Sequence, residues 1–276
     1  MKNTNISELY SKDYFLAGCG GFEYWKKYKG KNLDPRLKHS FKLGNINEKM
    51  RVLDFGFGRG ELLINSALNG AECHGIDLSK DAIAIAKGAI RLLPNTVRNR
   101  ISLNLLNKSI LPFKENFFDV IFFVDVIEHL TQEEVERFLK EFNRVLKPRG
   151  SLIVHTAPNK NYYDIGYKYY SKFVFDLVDP IHQLLFKEKI NRNLRNERHN
   201  IYHVNEQTPN SLKKNLINAG FNSKVWASDY PEMISIKNFK SFIKYLFFVP
   251  CIVPFLKPFF SYNVWAIAKK KLSTSK

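Results

Sequence analysis

Cysteine is nearly absent. Cys19, Cys73 and Cys251 lie far apart in 276 residues. Three such residues make neither a disulfide framework nor a zinc-ligand pattern, so a reducing compartment is expected. The opening "MKNTNISELYSKDYF" lacks the apolar core of a signal peptide, which points to the cytoplasm. No internal repeat or low-complexity tract occurs. The uncharged run Tyr245 to Leu256 holds twelve residues with two prolines, short of the roughly 20 that span a bilayer. Acids are scarce as well. Lys and Arg number 43 against 26 Asp and Glu, a net charge of +17. That excess fits an anionic partner, and it also fits a Lys-rich surface with no partner. It is uneven, since residues 231–276 carry eight Lys and one acid.

What the chain does have is alternation. Residues 1–50 are polar and aromatic, with a helix expected from Asp34 as N-cap and Pro35 as first position. From residue 51 onward strands and helices take turns. "RVLDFG", "ECHGIDLS", "ISLNLLN", "FFDVIFFVDV" and "GSLIVHTAP" read as strands. The fourth is almost continuously apolar, as a strand covered on both faces should be. In "TQEEVERFLKEFNRVLKPRG" the Thr131–Glu134 pair reads as a capping box. Val135, Phe138, Leu139, Phe142 and Leu146 make one apolar face. The pattern predicts a parallel sheet with helices on both faces and a ligand beyond the carboxyl ends of its strands. Residues 158–207 break the alternation with nine Tyr or Phe and read as an insertion covering the site. "TPNSLKKNLINAG" is a further helix capped by Thr208, and "FNSKVWAS" and "NVWAIAKK" are two last strands around 229–260.

The turn "LDFGFGRGEL" sits at such a strand end. Its glycines stand at 56, 58 and 60, with Glu61 where a dinucleotide-binding turn wants its third glycine. No P-loop spacing occurs. A pyrophosphate seeks bare backbone N–H groups. An acid at Asp54 instead suits a cationic ligand lying against glycine backbone, and a carboxylate at Asp77, closing the second strand, suits ribose hydroxyls.

These stretches resemble the class I S-adenosylmethionine-dependent methyltransferases, in the quinone O-methyltransferase-like, type 11 branch. "VLDFGFGRGE", "GIDLS", "NKSILPF", "FFDVIFFVDVIEHL" and "RVLKPRGSLIVHTAPN" stand in the family's order and spacing. The resemblance implies a Rossmann-like α/β fold with a seven-stranded, mostly parallel sheet and S-adenosyl-L-methionine as cofactor. It implies a methyltransferase domain over 51–276 with insertions at 158–207 and 229–260, led by a helical lid over 1–50. It places Gly56, Gly58 and Gly60 along the methionine and ribose, and Asp54 toward the amino end. Asp77 and Leu78 fall at the ribose, Asn107 and Lys108 on the adenine side, and Asp125 on the methionine side. Asn107 stands where Asp is common, and its side-chain oxygen accepts the same hydrogen bond.

Methyl transfer requires an aligned acceptor and, for a hydroxyl, removal of a proton. His129 in "VIEHL", His155 in "HTAPN" and His203 in "YHVNEQTP" are the candidate catalytic or substrate-contacting groups. Packing or loop-fixing roles are the alternative for each. No H-x-x-x-H pair or carboxylate cluster suggests a metal, so none is expected, although quinone-type relatives can use one. The aromatic insertion and the Lys-flanked apolar run 241–260 suit a sugar, lipid-linked glycan or other amphiphilic acceptor. That run reads as peripheral contact with the inner membrane face or as packing on the core or a twin subunit. The layout is also similar to bacterial methyltransferases of cell-surface glycan assembly. An RNA or protein methyltransferase and a cofactor-binding scaffold without turnover are the rival readings. The absence of N-P-P-[YF] after the fourth strand and of an RNA-binding module weighs against nucleic acid.

Overall fold

The computed structural model describes residues 9–106, 110–187, 202–229 and 253–271. Its centre is a seven-stranded sheet: β1 (Arg51–Phe55), β2 (Glu72–Asp77), β3 (Ile101–Leu105), β4 (Phe118–Val124), β5 (Leu146–Thr156), β6 (Phe221–Ala227) and β7 (Val264–Lys270). The order across the sheet is β3-β2-β1-β4-β5-β7-β6. The first five strands run parallel, and β7 pairs antiparallel with both β5 and β6. The order reverses between β1 and β4, where a crevice opens beyond the strand ends.

The longer α-helices are α1 (Phe22–Tyr28), α2 (Pro35–Gly44), α3 (Glu61–Leu68), α4 (Lys80–Ile90), α5 (Gln132–Val145), α6 (Lys172–Phe186) and α7 (Pro209–Asn218). Two separate apolar cores show that both sheet faces are covered. One gathers Phe55, Phe123, Phe138 and Phe142 with Leu212 and Leu216. The other gathers Val52, Leu63, Ile64, Ala82, Ala86 and Phe122. Neighbouring strand residues alternate between the two: Phe122 joins one core and Phe123 the other, and both are fully buried. That is the period-2 reason for the apolar run in β4.

The expected caps are in place. Asp34 accepts from the Arg36 and Leu37 amides at 2.9 and 3.2 Å; a further cap is Ser79, which accepts from Ala82 at 3.2 Å. Thr131 and Glu134 form a reciprocal capping box, as do Thr208 and Ser211. Leu146 is a correction: it is buried as expected but begins β5 instead of closing the helical face of α5. Removing the Thr131 hydroxyl leaves helix amides unsatisfied, so Thr131→Ala should cost about 1 kcal/mol. A thermal melt should fall by roughly 2 °C; an unchanged midpoint, or failure of Thr131→Ser to restore it, would contradict the cap's role.

The segment 158–207 is helical over 162–186, with its first ten residues in a wider π-type turn. Tyr169, Phe173, Leu177, Ile181 and Leu184 of this segment face solvent, and residues 188–201 lie outside the described residues. Among the described residues no helix is long and apolar enough to cross a membrane. Of the run 241–260, residues up to 252 lie outside the described residues.

Candidate active site

The turn after β1 is built on backbone. Gly56, Gly58 and Gly60 all have left-handed φ, at 75°, 53° and 84°. At Gly56 a Cβ would stand 2.4 Å from Val126, so the turn needs glycine for space and for conformation. The Gly56 amide donates to Ile76 O at 2.7 Å, tying the turn to β2. Phe15 lies over Gly58, its ring 3.5 Å from where a Cβ would be. Gly60 instead faces Ala86 of α4, a packing position.

Asp77 ends β2 beside this turn and is 6% exposed. It accepts from the Gly58 and Ser79 amides, each at 2.9 Å. A carboxylate has about four acceptor positions, so further ones remain for hydroxyl donors. Burial pushes its pKa up to about 6, partly offset by amides of Ser79, Gly58 and Leu78. Leu78 is half-buried at its side. Asp54 is 3% exposed, and its carboxyl is raised well above the usual range by burial and then by Glu61 and Asp77. It therefore favours a cation next to it. Asn107 and Lys108 lie outside the described residues.

A cavity of about 440 Å³ opens at the switch between β1 and β4. Gly56, Gly58, Asp125, Glu128, His129 and His203 line it, with Tyr14, Tyr202 and Tyr262. Burial raises Tyr10, Tyr14 and Tyr262, so these phenols stay neutral. Of the residues expected at the site, Asp54, Gly60, Asp77, Leu78 and His155 are not on this cavity's wall.

Asp125 follows β4 in a left-handed conformation, φ 56°, the kind of strained position found at functional sites. Its carboxylate is held from two sides. Arg36 of α2 donates to one oxygen, and His155 Nδ1 stands 2.5 Å from the other. Burial alone would raise Asp125, but Arg36 and His155 override it and hold the carboxyl far below its usual range. His155 Nε2 faces Asn263 Oδ1 at 3.0 Å, and Asn263 donates to Asp229 at 2.7 Å. His155 is fully buried. The expectation that it touches substrate is corrected: β7 pairs beside β5 with Trp265 opposite His155, the Trp265 ring packs tilted against the imidazole with centroids 4.1 Å apart, and the imidazole supports Asp125.

The turn Ile127–His129 follows. Glu128 is 2% exposed and accepts from the Thr156 hydroxyl at 2.8 Å. Burial and then Asp125 push its pKa up to about 8. Its main-chain carbonyl accepts from Val204 and Asn205 at 2.9 and 3.0 Å, docking the segment that carries His203. The His129 and His203 rings meet edge-on with centroids 4.9 Å apart. One ligand-type atom from each of Glu128, His129 and His203 falls within 4.8 Å of the others. Sequence spacing had suggested no such group, because His203 joins it from a distant loop.

Sequence reasoning also missed two arginines. Arg36 lies on the cavity wall in "DPRL", where it read only as part of a helix start. Arg59, inside the glycine turn, is 4% exposed. It donates to Glu61 at 2.8 Å, Phe15 O at 2.9 Å and Gly20 O at 2.6 Å. A long cation between two glycines was the available signal.

The strand order with its switch-point crevice and glycine turn defines a Rossmann-like fold. Comparison with known proteins carries this further. A methyltransferase-domain family matches residues 53–154. The ubiquinone/menaquinone biosynthesis C-methyltransferase UbiE of Shewanella sp. strain W3-18-1 is 26% identical over 185 residues, 67% of this chain and 71% of the relative. The phosphoethanolamine N-methyltransferase of Plasmodium falciparum is 31% identical over 131 residues, 46% of this chain and 47% of the relative. A SAM-dependent methyltransferase structure from Methanosarcina mazei covers 88% of this chain and 100% of its own, with a TM-score of 0.53 at 20% identity. Residues 53–154 carry a methyltransferase domain, and the chain is similar to S-adenosylmethionine-dependent methyltransferases in sequence and fold.

Proposed function

We propose that this enzyme methylates a hydroxyl of a small amphiphilic acceptor, a lipid-linked sugar or glycan being the chemistry that fits best. The observation that carries this reading is the Glu128–His129–His203 cluster, which lines one cavity together with the glycine turn. A hydroxyl must lose its proton as it gains the methyl, and this cluster gathers nitrogen and oxygen lone pairs where the acceptor lies. Tyr14, Tyr202 and Tyr262 offer aromatic faces and neutral O–H groups to a ring acceptor.

On the cofactor side, Asp77 receives the ribose hydroxyls and the turn 56–60 lies along the ligand. Arg36 receives the carboxylate of its aminoacyl end, while Asp54 and Asp125 favour its positive charge. The cofactor supplies a methyl on a sulfonium, and the carbon–sulfur electron pair stays with sulfur when the methyl moves to oxygen. The chain's own groups align the acceptor and exclude competing water.

The lipid part of the reading draws on the outer face of 162–186. Ile165, Tyr169, Phe173, Leu177, Ile181 and Leu184 stand about one turn apart and are 39% to 82% exposed. Lys168, Lys172 and Lys187 lie along the same segment. An exposed apolar stripe suits a bilayer interface; Asp164, Asp176 and Asp179 balance the three lysines, so attraction to anionic lipid rests on the net charge of +17. Labelled methyl transfer to a panel of lipid-linked glycans, quinols, phosphoethanolamine, RNA and protein tests the proposal. Alkali-stable O-methyl product on a hydroxyl acceptor is expected. Turnover restricted to carbon or nitrogen acceptors, or to RNA or protein, would overturn it. Phe173→Ser with Leu177→Ser should weaken pelleting with phosphatidylglycerol vesicles at least fivefold; equal pelleting would remove the bilayer from the account.

A further inference from the structure

We infer that His155 stands as a doubly protonated imidazolium and, through Asp125 and Arg36, sets the preference of the cofactor site for a ligand that carries a carboxylate. The charge on the ring rests on geometry. Its use rests on the reading above, in which Arg36 receives the carboxylate of the aminoacyl end.

Both ring nitrogens of His155 face acceptors. Nδ1 stands 2.5 Å from Asp125 Oδ1, and Nε2 stands 3.0 Å from Asn263 Oδ1. Which atom of the Asn263 amide meets the ring is fixed from its other end. Asn263 Nδ2 donates to Asp229 Oδ1 at 2.7 Å. That same oxygen accepts from the main-chain amides of Tyr262 and Asn263 at 2.9 and 3.3 Å. A carboxylate oxygen so engaged is an acceptor, so it takes the amide nitrogen and leaves the amide oxygen for the imidazole. A neutral imidazole has one N–H and one lone pair. Either tautomer would set a lone pair against an oxygen in a fully buried place, where a hydrogen bond left unmade is not replaced by water. The imidazolium satisfies both contacts. Trp265 suits the same charge. Its ring, which also meets His39 of α2, has its centroid 4.1 Å from that of His155, within the range at which an aromatic ring attracts a cation.

The charge matters because of what stands beyond Asp125. Arg36 donates to the other oxygen of that carboxylate and also pairs with Asp34 at 3.5 Å. With a neutral His155, one guanidinium would serve two carboxylates, and the group would repel a ligand carboxylate. With the imidazolium, two cations balance two carboxylates, and the positive field of Arg36 on the cavity wall is not outweighed. Burial opposes an ionised Asp125, and Arg36 and His155 overcome it. His155 is not on the cavity wall; it is a positioning residue that acts through Asp125.

Proton–nitrogen NMR of ring-labelled full-length protein reads the protonation directly, with His155 assigned by its contact with the Trp265 indole. At about pH 7.5 a solvated imidazole carries a single proton, whereas both His155 nitrogens should show the protonated signature. A neutral-tautomer signature overturns the inference, and this measurement needs no variant. The use of the charge is read by calorimetry with S-adenosylmethionine and with its decarboxylated form, which keeps the sulfonium and the ammonium. The wild type should prefer the carboxylate-bearing form at least tenfold. His155→Asn keeps an N–H donor near the Nδ1 position and removes the charge, so that preference should fall at least fivefold. His155→Gln replaces it if a thermal melt shows the asparagine variant unfolded. An unchanged preference in the folded variant overturns the part given to His155 and leaves the Arg36 reading standing, since a purely structural role lowers both affinities together. A wild type without the preference overturns the inference and the Arg36 reading with it.

Discussion

Asp77→Ala should weaken S-adenosylmethionine binding at least tenfold in calorimetry, about 1.4 kcal/mol. The carboxylate does two jobs. It accepts from Gly58 and Ser79, fixing the glycine turn against the start of α4, and it presents its remaining lone pairs to the ribose. Asp77→Asn keeps one acceptor oxygen and should retain more affinity than the alanine. Equal affinity in wild type and alanine would remove Asp77 from the cofactor site.

The same residue sets a pH dependence with two opposite signs. Its pKa in the ligand-free fold is about 6, raised by burial, against about 3.9 in an unfolded chain. A raised carboxyl pKa means that the native state holds its proton longer than the unfolded state. Its stabilising contribution is therefore fully present below about pH 4 and is lost as pH rises through about 6, roughly 3 kcal/mol in all. Ribose hydroxyls donate to the ionised form. Cofactor affinity should accordingly rise between pH 5 and 7 while the apo protein loses stability over the window from 4 to 6. Ligand binding then recovers what ionisation costs. In Asp77→Ala the rise in affinity should disappear; a rise that persists would assign it to another group.

The sheet was legible because it is written in short-range patterns. The apolar run of β4, the capping boxes at Thr131 and Thr208 and the glycine punctuation each act within a few residues. Each survives folding because tertiary packing favours the same local structure. The turn glycines and the strand-ending Asp77 were legible as local structure for the same reason, and Gly56 and Gly58 line the cavity. The missed features all depend on long-range placement. His155 lies near the end of a strand as expected, but whether its ring meets solvent depends on β7, which is far along the chain and packs Trp265 against it. The Glu128–His129–His203 group depends on a loop whose amides dock on the Glu128 carbonyl. Arg36 and Asp125 meet across 89 positions. No periodicity carries such information, because side-chain period reports which face a residue shares with its near neighbours and nothing about which distant element lands there.

Arg59→Ala is the substitution expected to cost most in stability, about 3–5 kcal/mol. Its guanidinium is 4% exposed and pairs with Glu61, whose side chain is 8% exposed. Truncation leaves that carboxylate buried without its cation, the case in which breaking a buried pair is strongly destabilising. It also removes the donors to Phe15 O, Cys19 Sγ and Gly20 O, which fasten the N-terminal segment to the glycine turn. Lysine should rescue poorly, because one ammonium cannot reproduce a planar fork that serves four acceptors in different directions. Urea unfolding should show the loss, and hydrogen exchange should show faster exchange at residues 9–28 than in the rest of the chain. Because Phe15 lies over Gly58, release of that segment also uncovers the cofactor wall, so S-adenosylmethionine affinity should fall together with protection. A loss under 1 kcal/mol with protection of residues 9–28 unchanged would contradict the fastening role. A loss of stability with cofactor affinity intact would separate the segment's structural part from any part in covering the ligand, and the lid over 1–50 would then be a packing element of the sheet edge.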